Sequence, residues 1–374
     1  MHEEALEVLS LPMVRLYRQV ELELMKSIAR RFAMHREITG TIEWEMRMLA
    51  ERGTLTRENI GILTEILSRG DEALKELIEE VAIGATEEME RLLRQTKGPR
   101  LLPIKQSHRL NALYEAYHQQ AADKLNLTNT TMLSMAEQKY REMVAKAALK
   151  MATGESTRTA VLKECISEFA REGIPALEDK AGRKWSSEAY VNMVIRTTAN
   201  NVYREATFVR LDDWQEDLFV VSWHQGARPL CEPYQNQVLS KSGKNGTVLD
   251  GDGNPIHYLP LSSTSYGEPA GLFGINCGHF PILFVEGVSF LPKGPSEEQK
   301  KHNEQVYQES QRQRALERRI RKIRREIEVA KAAKETELAK EGAVKLQALN
   351  KQMKVFLEET GRSRRPDREK IYFA

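Results

Sequence analysis

The stretch Leu218-Phe-Val-Val-Ser-Trp223 marks the point at which the predicted structure changes from helix to strand. Its β-branched and aromatic residues are typical of a short apolar strand. The segment that follows contains the runs Lys241-Ser-Gly-Lys-Asn-Gly246 and Asp250-Gly-Asp-Gly-Asn-Pro255, which predict tight turns. Phe280-Pro-Ile-Leu-Phe-Val285 predicts a closing strand. Residues 217–290 should therefore form a small β-rich domain whose secondary structure alone supplies little hydrophobic core.

Helices are predicted throughout the chain before this domain. Apolar residues recur at the spacing of one helix face at Leu9, Met13, Leu16, Val20 and Leu24. Residues 157–172 predict an amphipathic helix that ends at Gly173, and Ser186 or Ser187 can cap a long helix after it. The run Leu127-Thr-Asn-Thr-Thr131 predicts a break in an earlier helix. We expect an elongated helical N-terminal region over residues 1–100 and a central helical region over residues 101–216.

Helices are also predicted after the β-rich domain. A long polar helix should begin after Pro295 and carry an apolar heptad pattern at Leu316, Ile320, Ile323, Ile327 and Ala330. Gly342 is predicted to separate it from a last helix that runs through Phe356. Residues 291–374 would then form a basic helical C-terminal arm. The predicted fold class is mainly α with a small β-rich (α+β) domain.

Composition limits the class of protein. The 374 residues are 41% hydrophobic and 29% charged, with a formal net charge of only +2. These values are ordinary for a folded protein, and nucleic acid binding would have to come from a local basic patch. The three cysteines form no disulfide framework and favour a reducing compartment. An acidic start and the lack of a long apolar run predict neither a signal peptide nor a membrane span.

Histidine and cysteine residues concentrate in the β-rich domain, at His224, Cys231, His257, Cys277 and His279. Residues two apart on a strand share a face, so Cys277 and His279 can present a thiolate and an imidazole together. Zn²⁺ takes four such ligands, and a small turn-rich domain would gain folding free energy from the ion. The spacing differs from the paired C-x-x-C zinc signatures.

Two other interpretations of these residues remain open. In the first, the two cysteines of the domain are small buried hydrophobic residues, and the histidines hydrogen-bond loop backbone. Alternatively, Cys277 is a nucleophile with His279 or His257 as its base, although no recognisable nucleophile motif surrounds it. Cys165 shares the apolar face of its helix with Val161 and Phe169, which predicts a core thiol.

A second candidate site is the basic stretch 312–325, in which eight cations accompany a single acid, Glu317. DNA phosphates would bind such a cluster with release of counterions. The predicted DNA-contact residues are Arg312, Arg314, Arg318, Arg319, Arg321, Lys322, Arg324 and Arg325. The alternative is a solvated helix whose arginines pair with acidic helices of the same fold or of partner subunits. No groove-reading motif argues for sequence-specific binding.

Two long strings resemble the signature of the phage minor capsid protein 2 family: Ser222-Trp-His-Gln-Gly-Ala-Arg-Pro-Leu-Cys-Glu-Pro-Tyr-Gln-Asn-Gln-Val-Leu-Ser240 and Tyr266-Gly-Glu-Pro-Ala-Gly-Leu-Phe-Gly-Ile-Asn-Cys-Gly-His279. Shorter motifs extend the resemblance over nearly the whole chain: Gly154-Glu-Ser156, Ala181-Gly-Arg-Lys-Trp185, Ile195-Arg-Thr-Thr198 and Tyr307-Gln-Glu-Ser-Gln-Arg-Gln-Arg-Ala-Leu-Glu-Arg318. This chain departs from relatives that commonly have histidine at Cys231, and Trp-Gln-Gly-Lys at Tyr234–Gln237. The first departure favours zinc, because thiolate and imidazole are interchangeable as zinc ligands.

The resemblance implies a structural protein of a tailed-phage virion, distantly related to Mu F-like head morphogenesis proteins. It implies portal protein and capsid subunits as partners, assembly in the host cytoplasm, and no membrane. It implies no catalysis, so no catalytic residue is assigned, and structural zinc at His224, Cys231, Cys277 and His279 is the single cofactor expected. We also expect contact with packaged double-stranded DNA. The alternatives are a cysteine hydrolase or virion-delivered effector, and a non-specific DNA-binding packaging factor.

Overall fold

The computed structural model describes residues 3–68, 70–98, 106–154, 156–292, 294 and 296–371. Helices dominate it, which confirms the predicted fold class. In the described residues the helices are α1 Glu3–Met34, α2 Thr41–Ala50, α3 Arg52–Leu67, α4 Gly70–Lys97, α5 His108–Ala152, α6 Arg158–Glu172, α7 Ser187–Trp214, α8 Glu297–Ala332 and α9 Thr336–Thr360. Within that same part of the chain, none of them is both long and apolar enough to cross a membrane.

The strands described form two sheets. β1 Pro175–Glu178 and β2 Lys184–Ser186 pair as a small hairpin, which the sequence did not reveal. The larger sheet contains β3 Leu218–Val221, β4 Val238–Ser240, β5 Gly246–Leu249, β6 Pro255–Pro260 and β7 Pro281–Leu283. Its order is β5-β6-β4-β3-β7, with β4 and β6 parallel and the other neighbours antiparallel. The two predicted strands correspond to β3 and β7, which are neighbours, with β7 at the edge of the sheet and β3 beside it.

The chain folds into two compact units, each built from separated segments. The first contains Met1–Leu11, Glu72–Asp123 and Asn192–Ser310. The second contains Pro12–Asp71, Lys124–Val191 and Gln311–Ala374.

Helices cover one face of the five-stranded sheet in the first unit. Side chains alternate along β3, so Phe219 and Val221 point to one face and Val220 to the other. The first face packs against Met89 and Leu93 of α4 and against Phe208, Leu211 and Trp214 of α7. The second face forms a smaller cluster around Val220, Val238, Val248 and Phe284. Much of the core that the β-rich segment itself lacks is thus supplied by α4 and α7.

In the second unit, four of the five residues of the predicted α1 stripe are buried: Met13, Leu16, Val20 and Leu24. The heptad residues of α8 pack against α9, where Ile320 is buried with Leu349, Met353 and Phe356. The two helices predicted after the β-rich domain are therefore present and pack against each other as a hairpin. The predicted cap and helix end are also present, since Ser186 accepts from the Ala189 N–H and α6 ends at Gly173.

Two predicted helix breaks were wrong. The run 127–131 lies inside the continuous helix α5, because its threonines bond back to carbonyl oxygens one turn earlier, as Thr131 does to Leu127 at 2.8 Å. Gly342 lies inside α9, and the break comes earlier, at Lys334, whose φ of 59° places it in the left-handed region. A β-carbon at Gly342 would lie 2.6 Å from Ile327 Cγ1, so the glycine permits close approach of α8 and α9.

Candidate functional site

Four of the five cysteine and histidine residues of the β-rich segment lie together at one end of the five-stranded sheet: His224, Cys231, Cys277 and His279. Cys277 and His279 lie just before β7, and Cys231 directly precedes a short 3-10 turn at Glu232–Tyr234. Ser222 follows β3 and donates its backbone N–H to the Phe280 carbonyl oxygen, at 2.9 Å. Its hydroxyl oxygen accepts from the Phe280 N–H at 2.8 Å. These hydrogen bonds to the end of β3 therefore fix the backbone of the segment that carries Cys277 and His279.

Three potential ligand atoms lie together: Cys231 Sγ, Cys277 Sγ and a ring nitrogen of His279, all within 4.8 Å of one another. The two sulfur atoms are 3.9 Å apart, and Cys277 Sγ is 3.4 Å from His279 Nδ1. All three residues are buried, with at most 1% of their surface exposed. Sequence reasoning predicted these three as members of one site, and the structure brings them together.

The other histidines occupy different positions. The His224 ring lies against the His279 ring, with centroids 4.4 Å apart and planes inclined by 35°. Its nitrogen atoms are not part of the three-atom group. His257 is exposed on β6, and Cys165 is buried in α6 as predicted.

Gln235 links the two stacked histidines, and sequence reasoning did not identify it. Its Oε1 accepts the His224 backbone N–H at 2.8 Å and lies 3.1 Å from His279 Nε2. A backbone N–H is a fixed donor, so the atom facing it must be the amide oxygen. His279 Nε2 then carries a proton, and in the neutral ring Nδ1 has the lone pair that faces Cys277.

A tight loop wraps the Cys277 sulfur. Gly271 and Gly274 allow this, because β-carbons there would lie 1.9 Å from Ser265 O and 2.6 Å from Pro269 O. The loop turns the Phe273 N–H toward Cys277 Sγ, at 3.3 Å. Asn200 of α7 donates to the Cys277 carbonyl oxygen at 2.8 Å, which anchors the loop to this helix.

The electrostatics favour a thiolate at Cys277. The hydrogen bond from Cys231 lowers the pKa of the Cys277 thiol well below its usual value, against the effect of burial. The same hydrogen bond, together with burial, raises the pKa of the Cys231 thiol. The Arg228 guanidinium lies 3.9 Å from Cys231 Sγ and adds a positive charge beside the pair.

The family described as phage minor capsid protein 2 matches residues 1–358 of this sequence. The chain belongs to this family. It is also similar to a curated protein named "Structural protein" from Lactococcus phage LL-H, at 30% identity over 313 residues, which cover 80% of each chain. No solved structure matches it significantly. As a member of the phage minor capsid protein 2 family, the chain is a structural protein of a bacteriophage.

The basic stretch of this minor capsid protein divides into two faces of α8. Arg321 is buried and donates from Nε to Glu188 Oε2 at 2.8 Å. Arg325 Nη1 lies 2.6 Å from Glu21 Oε1. Arg324 donates to the Glu369 carbonyl oxygen at 3.1 Å. These three cations are therefore engaged within the second unit.

The other face of α8 is solvent-exposed and carries Arg312, Arg318, Arg319 and Lys322. Arg312 also stacks over the Phe356 ring, 5.5 Å from its centroid. Arg314 is half-buried. Four of the eight predicted DNA-contact residues thus form what we call the exposed basic strip: Arg312, Arg318, Arg319 and Lys322.

Glu188, the acid that pairs with Arg321 of α8, also pairs with Arg18 of α1. Burial opposes ionisation of Glu188, but the charges of Arg321 and Arg18 outweigh burial and lower the pKa of this carboxyl. Arg18 Nη2 lies 3.2 Å from Glu188 Oε1. The carboxylate is therefore paired on both sides.

Proposed function

We propose that this minor capsid protein acts by docking, with its helical surfaces binding portal protein and capsid subunits in the phage head. The family match over residues 1–358 carries this proposal. A structural role requires surfaces that bind neighbouring subunits, and α2 offers one that suits this role.

One face of α2 is apolar and exposed. Ile42, Met46 and Leu49 have 75%, 67% and 45% of their surface exposed, and their spacing places them on one side of the helix. The opposite side, with Trp44 and Met48, is buried. Contiguous exposed apolar residues are typical of surfaces that bind another protein. We assign this α2 stripe, Ile42, Met46 and Leu49, to contact with the portal protein.

The α2 stripe can be tested in phage particles. A phage that carries Ile42→Lys and Met46→Lys should assemble heads with little or none of this protein, measured by mass spectrometry of purified virions and procapsids. A matched control carries Val344→Lys and Val355→Lys on α9, which are 66% and 44% exposed. Normal incorporation of the α2 variant would overturn the assignment of the stripe. Absence of the wild-type protein from heads and procapsids would overturn the docking function itself.

We further propose that the exposed basic strip of α8 contacts packaged DNA without reading its sequence. If four cations each neutralise one phosphate, the logarithm of the binding constant should fall with that of salt with a slope of about −3 to −4. Arg318→Ala with Lys322→Ala should remove about half of that slope in fluorescence anisotropy with duplex DNA. The control Lys351→Ala with Lys354→Ala, also exposed on one helix, should leave it unchanged. Binding that is undetectable or insensitive to salt would exclude this contact.

An enzymatic role has less support. A cysteine nucleophile must meet its substrate, yet Cys277 and His279 are each 1% exposed. The docking function therefore remains the proposal that the site and the family support best.

A further inference from the structure

We propose that the end of the five-stranded sheet is a structural zinc site, in which four side chains bind one Zn²⁺ ion: Cys231, Cys277, His279 and His224. The proposal is independent of the portal and DNA contacts. It concerns how this part of the first unit is held together.

The separations of the donor atoms match a tetrahedral ion. Bonds of about 2.3 Å to sulfur and about 2.1 Å to nitrogen place two sulfurs roughly 3.8 Å apart, and sulfur and nitrogen roughly 3.6 Å apart. The observed distances are 3.9 Å between the sulfurs and 3.4 Å from Cys277 Sγ to His279 Nδ1. Both of these separations lie within a few tenths of an ångström of the geometry that zinc requires, and the third pair, Cys231 Sγ and the His279 ring nitrogen, lies within 4.8 Å.

The hydrogen bonds around these donors are those of a metal site. Zinc-bound histidines usually donate their second ring N–H to an oxygen acceptor, which fixes the ring and the tautomer. Gln235 Oε1 takes that role at 3.1 Å from His279 Nε2 and leaves the Nδ1 lone pair directed at the sulfurs. The Phe273 N–H at 3.3 Å from Cys277 Sγ would stabilise the thiolate that zinc needs.

Charge also favours the ion. Two deprotonated cysteines and a neutral histidine carry two negative charges, which one Zn²⁺ neutralises in a buried place where uncompensated charge is costly. The fourth ligand, His224, stacks on His279 and is only partly buried. Its ring has to turn from the stacked position to bring a nitrogen to the ion.

Zinc would join parts of the chain that are distant in sequence. Cys231 and Cys277 are 46 positions apart, and both lie in loops rather than in strands. Because zinc would bind the folded chain and not the unfolded chain, the free energy of unfolding should rise with the logarithm of the zinc concentration. The ion would therefore hold the 3-10 turn and the Cys277 loop against the sheet.

The test measures metal in the full-length protein, purified in reducing buffer after removal of any affinity tag. We expect one zinc per chain by elemental mass spectrometry, and its release when the thiols are modified. Replacement with Co²⁺ should give the sulfur-to-metal charge-transfer absorption and the intense visible bands of a tetrahedral thiolate site. A folded wild-type protein that contains no zinc and gives no such Co²⁺ spectrum would overturn the proposal.

Matched variants identify the ligands. Cys231→Ser, Cys277→Ser and His279→Ala should each lose the metal, whereas the controls Cys165→Ala and His257→Ala should keep it. His224→Ala should weaken zinc affinity in competition with a chelator, with two thiolates still in the Co²⁺ spectrum. If the cysteine variants retain zinc, the metal is an adventitious ion only and the proposed site is rejected. If a variant fails to fold, the metal content and the Co²⁺ spectrum of the wild-type protein still show whether the site binds zinc.

Discussion

Arg325 and Glu21 are 304 positions apart in the sequence but form an ion pair in the second unit. Glu21 is 4% exposed, and its carboxylate also accepts from Ser187 Oγ at 2.7 Å and from the Ile174 N–H at 3.3 Å. Gly173 lies against this pair, since a β-carbon there would be 2.5 Å from Glu21 Oε1. A buried carboxylate with this many partners is stable only while they are all present.

Removal of one partner should therefore be costly. We expect Arg325→Ala to lower the free energy of unfolding by about 3–5 kcal/mol, because it leaves the Glu21 charge buried without compensation. The measurement is urea denaturation followed by circular dichroism. Lys340→Ala, which breaks an exposed pair with Glu337, should have no measurable effect. Equal effects of the two changes would show that burial does not determine the strength of these pairs.

At this scale the sequence predicted which residues cluster but not what surrounds them. Cys231, Cys277 and His279 could be nominated because cysteine and histidine are rare and chemically distinctive. Gln235 could not, since its role depends on the direction of one amide oxygen. The partners of Arg321 and Arg325 lie at Glu188 and Glu21, and only tertiary structure brings them to α8.

Among the elements, the contact between α8 and α9 depends on one glycine. Gly342→Ala adds helix propensity of up to about 1 kcal/mol but places a methyl 2.6 Å from Ile327 Cγ1. Overpacking of this kind costs typically about 1–3 kcal/mol, so a net loss of thermal stability is expected.

Gly61→Ala on α3 is the matched control. Nothing lies within 4 Å of a β-carbon there, so the same change should stabilise the protein by roughly 0.5–1 kcal/mol. The two melting temperatures should move in opposite directions. If both rise, α8 and α9 can separate without cost, and the explanation given for Gly342 fails.

The same elements show the limits of pattern reading. The spacing of apolar residues correctly predicted α6, α7, α8 and α9. This spacing can be recognised in the sequence without knowing which element the helix packs against. Threonine and asparagine at 127–131 gave a false break in α5, since Asn129 Oδ1 instead accepts a hydrogen bond from Tyr17 OH at 2.9 Å. A glycine in a helix and a glycine after a helix look the same in sequence, which explains the error at Gly342.

For the molecule as a whole, the predicted domain at 217–290 can be tested as a fragment. Its sheet packs on five buried apolar side chains from α4 and α7: Met89, Leu93, Phe208, Leu211 and Trp214. At about 1.5–3 kcal/mol each, they contribute as much as the entire stability of an ordinary domain. We expect fragment 217–290 to stay unfolded by near-ultraviolet circular dichroism and amide NMR dispersion.

Addition of Zn²⁺ to this fragment is the informative control. A metal that only fixes loops cannot replace the missing helices, so the fragment should remain unfolded with zinc present. Cooperative folding on zinc addition would instead show that residues 217–290 are an autonomous module. The full-length chain under the same conditions supplies the reference spectrum.

The pairing of the α8 arginines also has a consequence for synthesis. Eight cations lie within residues 312–325, but acids from distant positions engage several of them after folding. A denatured chain offers all eight to RNA and DNA, whereas the folded chain exposes four. Glu21 and Glu188 are translated before the helix that they neutralise, so internal partners already exist when the arginines emerge. Refolding from denaturant lacks this order, and nucleic acid left in the preparation should compete for the helix and trap misfolded chains.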